Sequence, residues 1–358
     1  MTHPHQSALR PTALLACTLA LLAMSNISNA QCNWNGSSAT YMNFEHNLGS
    51  AWIARDAPVG SVIMEQPLSL LNQQGAAPLC YFDQYTPTTA VINSSVAPVP
   101  GLIARAGSGR ATDILPTNIA GIGAIFEVGY PYDGSASNTF TPDDGSIHIP
   151  YKGTMVAQTA FAAPLRRFYG TLTLVKTGPI AAGPQIIDQE MFHAFIANLG
   201  KAYDFRLKGR VQQAQCSLKA DPVSADPVRL GDYEVADFKT PGTTTADIPF
   251  FIRLNDCEDD STAGKAVAFI HLTGAKGSTT EDASAGIITL DSGASATGLG
   301  IQVLHDDGRP LELEQEVAVS NLQIGETRLN LKARYIQIAP KVTPGLASGA
   351  LNFTISYR

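Results

Sequence analysis

Apolar and polar residues alternate in short runs along most of the chain, and Gly, Pro, Asp and Asn break the runs. A period of two puts successive side chains on opposite faces of an extended backbone, so the pattern predicts an all-β protein. The second half shows it best. Phe250, Ile252 and Leu254 alternate with Phe251, Arg253 and Asn255, and Leu299, Ile301 and Val303 alternate with Gly300 and Gln302. After the turn Asp306-Asp307-Gly308, Leu311 and Leu313 resume the rhythm, which predicts a hairpin. Leu329, Leu331, Ala333 and Tyr335 oppose Asn330, Lys332 and Arg334, as in a strand with one buried face. The last run sets Leu351, Phe353, Ile355 and Tyr357 against Asn352, Thr354, Ser356 and Arg358, an amphipathic strand whose ordinary reading is that it closes a sheet.

The first half is less regular. Leu172 and Leu174 alternate within Gly170 to Gly178, and Phe205 to Val211 forms another short run. Asp188 to Leu199 carries Met191, Phe192, Phe195, Ile196 and Leu199 at helical spacing and fits a buried strand equally well. The polar run Gln212-Gln213-Ala214-Gln215 offers no apolar face, so a domain junction is expected between Gly209 and Cys216.

The chain has 358 residues, 15% of them charged and 44% hydrophobic, enough for two compact domains. Its start carries Arg10, then an apolar run from Ala13 to Met24, then Ser28-Asn29-Ala30, which reads as a secretory signal peptide cut after Ala30. Without that segment the formal charge is 23−31=−8, since Arg10 leaves with it. An acidic chain with no basic cluster argues against nucleic acid as a partner. Cys17 lies in the signal, and the four remaining cysteines of an exported protein suggest two disulfides. Of three connectivities, Cys32–Cys80 and Cys216–Cys257 is favoured because the two pairs lie far apart in the chain.

Catalytic and metal signatures are missing. No G-x-S-x-G, P-loop or H-E-x-x-H motif occurs, and His46, His148, His193, His271 and His305 are scattered without ligand spacing. Gly121-Ile122-Gly123 and Gly298-Leu299-Gly300 read as strand glycines, and Asp143-Asp144-Gly145 as a turn. Glu258-Asp259-Asp260 is expected to be a solvated acidic loop. No enzyme activity, cofactor or metal is expected.

Tyr130-Pro131-Tyr132-Asp133-Gly134, with Tyr151 close in sequence, sets aromatic rings beside a carboxylate. Sugar sites combine an apolar ring face with such acceptors, while Tyr in strands and Asp in turns supply the ordinary structural reading. Arg105 and Arg110, in a Gly-rich stretch, are candidates for an acidic ligand group or are simply solvated. The candidate ligand residues are therefore Tyr130, Tyr132, Asp133, Tyr151 and Arg105.

A set of local features spans the second half: Cys216 and Cys257, Leu230-Gly231, Gly298-Leu299-Gly300-Ile301-Gln302, Ala333-Arg334-Tyr335, Val342-Thr343-Pro344-Gly345 and Tyr357. Together they resemble the pilin domain of the chaperone–usher fimbrial family. The resemblance implies an immunoglobulin-like sandwich lacking its last strand, completed by β-strand addition. Leu351, Phe353, Ile355 and Tyr357 would border the open groove. A periplasmic chaperone would fill it first and anchor the Arg358 carboxylate. At the outer-membrane usher, a donor strand from the adjacent fimbrial subunit would replace it.

Two features point to a tip adhesin rather than a shaft subunit. The predicted mature start at Gln31-Cys32 leaves no donor extension, and a long segment precedes the pilin-like region. In two-domain fimbrial adhesins that position holds a receptor-binding β-sandwich. Leu174-Val175-Lys176-Thr177-Gly178-Pro179 resembles a strand and turn of the receptor domain of type 3 fimbrial adhesins. Residues 33 to 170 do not align with the mannose pocket of type 1 adhesins, so no ligand residue carries over.

The expectation is an all-β protein of two immunoglobulin-like sandwiches: a signal peptide, a receptor-binding domain from Gln31 to Val211, and an incomplete pilin domain from Gln215 to Arg358. It would sit at the fimbrial tip on the bacterial surface and bind a host glycan or matrix protein. The alternative is a non-adhesive minor subunit or assembly initiator. A secreted hydrolase fused to a pilin module is a more distant third.

Overall fold

The computed structural model of the chain describes Met1 and residues 31–35, 41–72, 77–106, 109–261 and 266–358. The expected signal peptide, with Arg10 and Cys17, lies outside the described residues except for Met1.

The first strands are β1 (Gln31–Asn35), β2 (Met42–Ala54), β3 (Val62–Leu71), β4 (Ala77–Phe82), β5 (Pro87–Ser94), β6 (Ala104–Ala106) and β7 (Gly109–Ala111). Then come β8 (Leu115–Pro116), β9 (Ile122–Val128), β10 (Thr141–Pro142), β11 (Tyr151–Val156), β12 (Phe161–Pro164), β13 (Arg167–Lys176) and β14 (Gln185–Ile196). β15 (Lys201–Ser217) leads into β16 (Ile248–Glu258), β17 (Val267–Ala275), β18 (Thr280–Asp282) and β19 (Ile287–Thr289). The last are β20 (Leu299–His305), β21 (Glu316–Asn321), β22 (Gly325–Gln337) and β23 (Ala350–Tyr357). The described residues contain no α-helix, only 3-10 turns at Ala197–Leu199 and Val235–Asp237. The ambiguous segment Asp188 to Leu199 is strand β14 followed by the first of these turns. The expected all-β class is what forms.

In the first part, the sheet β10-β11-β5-β14-β15, with β2 parallel to β15, packs against the sheet β3-β13-β9-β8. Aromatic rings join the layers. Phe192 of β14 stacks on Phe205 of β15 at 4.5 Å, and Phe126 of β9 meets them edge-on at 5.0 and 5.2 Å. Such pairs add about 0.5–1.5 kcal/mol each beyond the area they bury. A smaller sheet, β1-β4-β12, sets Cys32 opposite Cys80, and the two form a disulfide.

The polar run expected to be a junction without a buried face is instead part of β15. Gln213 and Ala214 are only 6% and 1% exposed, and the Gln213 amide donates to the Ile180 carbonyl at 3.4 Å. Adjacent residues of a strand face opposite ways, and both are buried here because each face of β15 is covered at this point. One hydrophobic cluster ends at Val211 and the next begins at Ala214, so both cores meet along β15. Gly209 sits where β2 and β15 slip in register, and a Cβ there would lie 2.4 Å from Leu48 Cγ.

In the second part, β15 pairs through Gln215 and Ser217 with β16, and the sheet continues β16-β22-β20-β19-β18. It packs on the sheet β21-β17-β23. Leu254, Leu329 and Leu331 from one layer meet Ala268, Ile270, Leu272 and Ile355 from the other, all at most 8% exposed. Cys216 and Cys257 form the second disulfide.

The hairpin expected after β20 forms: the chain turns at Gly308, the His305 N–H donates to the Arg309 carbonyl at 2.8 Å, the Leu311 N–H donates to the Val303 carbonyl at 3.0 Å, and Leu304 bridges Pro310. Leu311 and Leu313 are buried, although the returning segment is too short to be a strand of its own. One local expectation is corrected. Asp259 is 6% exposed rather than solvated, and its carboxylate accepts the N–H groups of Asp260 and Ala266.

β23 pairs with β17 on one side only, among the described residues. Arg358 and Val267 exchange backbone hydrogen bonds at 3.0 and 2.6 Å. In an antiparallel pair the alternate residues point their backbone groups the other way, so Leu351, Phe353 and Ile355 turn N–H and C=O to the unpaired edge while their side chains face the core. Tyr357 is partnered on that edge by the first part of the chain. Its N–H donates to the Asp56 carboxylate at 2.9 Å, and the Asp56 N–H donates to its carbonyl at 3.1 Å. Arg55 lies over the Tyr357 ring at 4.9 Å, and Trp52 and Ala54 pack against the second core.

Removing the Asp56 carboxylate tests this clamp. Asp56→Ala is expected to lower the unfolding free energy of the full chain by about 1 kcal/mol, the net worth of one such hydrogen bond. An unchanged denaturant midpoint would show that the clamp adds nothing to stability.

Candidate functional site: an aromatic cavity in the first sandwich

The residues proposed from sequence do not form one site. Tyr132 and Tyr151 are 2% and 3% exposed and belong to the core. The Tyr132 ring stacks on Phe140 at 5.4 Å and meets Tyr151 edge-on at 5.9 Å. The Tyr151 hydroxyl donates to the Phe140 carbonyl at 3.3 Å. Burial pushes the Tyr132 phenol up to about 12, and it raises Tyr151 and the neighbouring Tyr203 further. These phenols are structural because large rings near the sheet edge fill the sandwich. Asp133 forms a turn, accepting the Ser135 N–H at 3.1 Å and its hydroxyl at 2.8 Å. Arg105 is exposed on the small β6–β7 ribbon, opposite Arg110, and lines no part of the cavity described below; the Arg110 side chain lies outside the described residues.

Tyr130 is different. It is 57% exposed and stands at a cavity of ≈ 560 Å³. Pairing of β12 with β4 places Phe161 opposite Phe82, and the two rings stack at 4.8 Å. The Gly129 N–H donates to the Tyr169 carbonyl at 2.8 Å, which brings Tyr130 beside the start of β13. There Arg166, Arg167 and Tyr169 line the wall, while Phe82, Phe140 and Met155, each at most 2% exposed, line the base. Asn138 completes the lining in a left-handed conformation, φ 61°, that Asn tolerates. Its Oδ1 accepts the Gln158 N–H at 3.1 Å.

The arrangement combines exposed ring faces with donors: two guanidinium groups, an amide and two phenols. It resembles a small-ligand site in size and in its mainly apolar lining. Reading the sequence captured Tyr130 and missed Phe161, Arg166, Arg167 and Tyr169. The run Leu165-Arg166-Arg167-Phe168-Tyr169, with adjacent cations beside rings, was the available signal. Among the described residues no group of three or more His, Cys, Asp or Glu is placed to hold a metal ion.

The sequence relatives match the second sandwich. A family model described as Fimbrial protein matches residues 205–358. Fimbrial subunit type 1 of Salmonella typhimurium is 36% identical over 153 residues, which are 42% of this chain and 80% of that protein. The chain belongs to the fimbrial protein family. The A chain of type-1 fimbrial protein from Escherichia coli is 32% identical over 155 residues, 42% of this chain and 80% of that protein. The fimbrial match thus begins inside β15 and covers the sandwich with the open β23 edge. Two solved structures are also similar. The CupB6 tip adhesin from Pseudomonas aeruginosa covers 91% of this chain and 94% of its own, at 17% identity and TM-score 0.35. The receptor binding domain of adhesin MrkD1P from Klebsiella pneumoniae covers 53% of this chain and 100% of its own, at 17% identity and TM-score 0.33.

Core placement of the tyrosines sets a pH dependence. Below pH 10 the Tyr132 phenol is protonated in both folded and unfolded states; above it only the unfolded state releases the proton, so stability falls between pH 10 and about 12. Tyr132→Phe, which removes this ionisation, is expected to make that fall shallower in denaturant melts at stepped pH, with the remainder due to Tyr151 and Tyr203. An equally steep fall in the variant would place the titrating phenol elsewhere.

Proposed function

We propose that this fimbrial protein is a tip adhesin whose first sandwich binds a host glycan or matrix protein and whose second joins it to the fimbria. One observation carries the reading. The fimbrial relatives account for 42% of the chain, and the remainder builds a separate core with an open, aromatic, donor-lined cavity. A spacer would have no need to keep Tyr130 exposed beside stacked rings over a concave site. Weak contacts at single cavities become strong attachment when many fimbriae engage one surface.

Incorporation would use the β23 edge. Leu351, Phe353, Ile355 and Tyr357 supply the apolar side of a groove, and the outward backbone groups of Leu351, Phe353 and Ile355 supply hydrogen bonds to an added strand. A periplasmic chaperone strand, and then one from the adjacent subunit delivered at the outer-membrane usher, would occupy that edge in turn. Arg358, held beside Glu316 by an ion pair, lies at its end. The reading places the receptor domain at Gln31 to Val211 and the pilin domain at Gln215 to Arg358, and it requires no catalysis or cofactor.

Tyr130→Ala and Phe161→Ala are each expected to cut adhesion of fimbriated cells at least tenfold while fimbriae remain assembled, as counted by electron microscopy. Full adhesion by both variants would place the receptor contact elsewhere, and loss of fimbriae without any receptor binding would favour a non-adhesive assembly subunit. Deleting Asn352 to Arg358 is expected to remove chaperone capture and the periplasmic protein with it. Normal display after that deletion would exclude strand addition at β23.

A further inference from the structure

The charge of the cavity narrows its ligand. Its lining holds Arg166 and Arg167 and not one Asp or Glu, in a chain whose formal net charge is −7. Several other arginines are ion-paired: Arg206 reaches Asp188 at 2.5 Å, Arg309 reaches Asp307 at 2.7 Å and Arg334 reaches Asp247 at 3.1 Å. Arg166 and Arg167 have no ion pair among the described residues.

The nearby carboxylates are committed elsewhere. Asp133 holds the Ser135 turn, and Asp143 accepts from Thr154 at 2.9 Å and pairs with Lys152 at 3.0 Å, which holds its carboxyl below the usual range. The aromatic-plus-carboxylate pattern of a neutral-sugar site is therefore not assembled here. Side-chain donors dominate instead, because the Asn138 carbonyl oxygen already accepts from Gln158 and leaves its amide N–H groups to donate.

We infer that the cavity binds an anionic sugar, a glycan residue bearing a carboxylate or a sulfate. The inference rests on the reading of this cavity as the receptor site. A guanidinium forms paired, charge-assisted hydrogen bonds with either oxyanion. Tyr130, Phe161 and Tyr169 offer ring faces for the apolar side of a pyranose. The cavity is compact, ≈ 560 Å³, which suits a few sugar rings rather than the extended length of an acidic peptide.

The test uses the full chain with both disulfides formed, titrated with sialylated, uronate-containing, sulfated and neutral oligosaccharides at about 0.15 and about 0.5 M salt, since screening weakens exposed charge pairs. Saturable binding to acidic oligosaccharides is expected, at least tenfold weaker in the Arg166→Gln/Arg167→Gln double variant and weaker at high salt. The Arg166→Lys/Arg167→Lys variant keeps the charge without the planar fork and should fall between. Circular dichroism melts of each variant separate lost binding from lost fold. The carboxylated and sulfated arms distinguish the two sources of the anion. Neutral-sugar binding that Tyr130→Ala abolishes and the double arginine variant leaves intact would overturn the anionic inference and leave the receptor site standing. A folded chain that binds no oligosaccharide at all would overturn the anionic inference, and the adhesion of cells carrying Tyr130→Ala or Phe161→Ala decides the receptor site separately.

Discussion

The two halves of the molecule depend on one strand. β15 pairs along its first part with β14 and β2, then through Gln215 and Ser217 with β16. Its inward residues Phe205, Leu207 and Val211 serve one core, and Ala214 and Cys216 serve the other. A break in register along it would turn these side chains to the wrong face in either sandwich. The disulfide from Cys216 to Cys257 ties its end to β16, and the close approach of Gly209 to Leu48 accommodates the slip against β2.

A second link joins the halves at the β23 edge. Asp56 takes one register position there through two hydrogen bonds, while Leu351, Phe353 and Ile355 keep outward backbone groups free of strand pairing among the described residues. Apolar side chains on this strand already reach the core, so the edge lacks backbone partners more than it lacks packing. That asymmetry suits completion by an added strand, for which main-chain pairing supplies affinity.

The cavity of the first sandwich follows from its edges rather than from its centre. Phe192 stacks on Phe205 and Phe126 meets them edge-on between the sheets, and the rings that line the cavity lie where β12, β13 and the 130–140 segment converge. Residues distant in sequence, Phe82, Tyr130 and Tyr169 among them, become neighbours only through the β4–β12 and β9–β13 pairings.

Local alternation by itself determined the all-β class and the inward faces of β16, β22 and β23, and local motifs from Cys216 to Tyr357 carried the likeness of the second half to fimbrial proteins. These properties reside in consecutive residues, and a period of two is visible without knowing any partner. Cysteine positions pointed to the disulfides for a related reason: each pair closes within its own part of the chain. The tertiary structure alone decided which tyrosines face solvent. Tyr130 and Tyr132 are two residues apart, yet one borders the cavity and the other is sealed against Phe140 and Tyr151. It alone also separated Asp133, a turn former, from Arg166 and Arg167, two cations without acidic partners among the described residues. Burial and charge pairing depend on what the rest of the chain brings alongside, and that information is spread over contacts too distant for a periodic pattern to record.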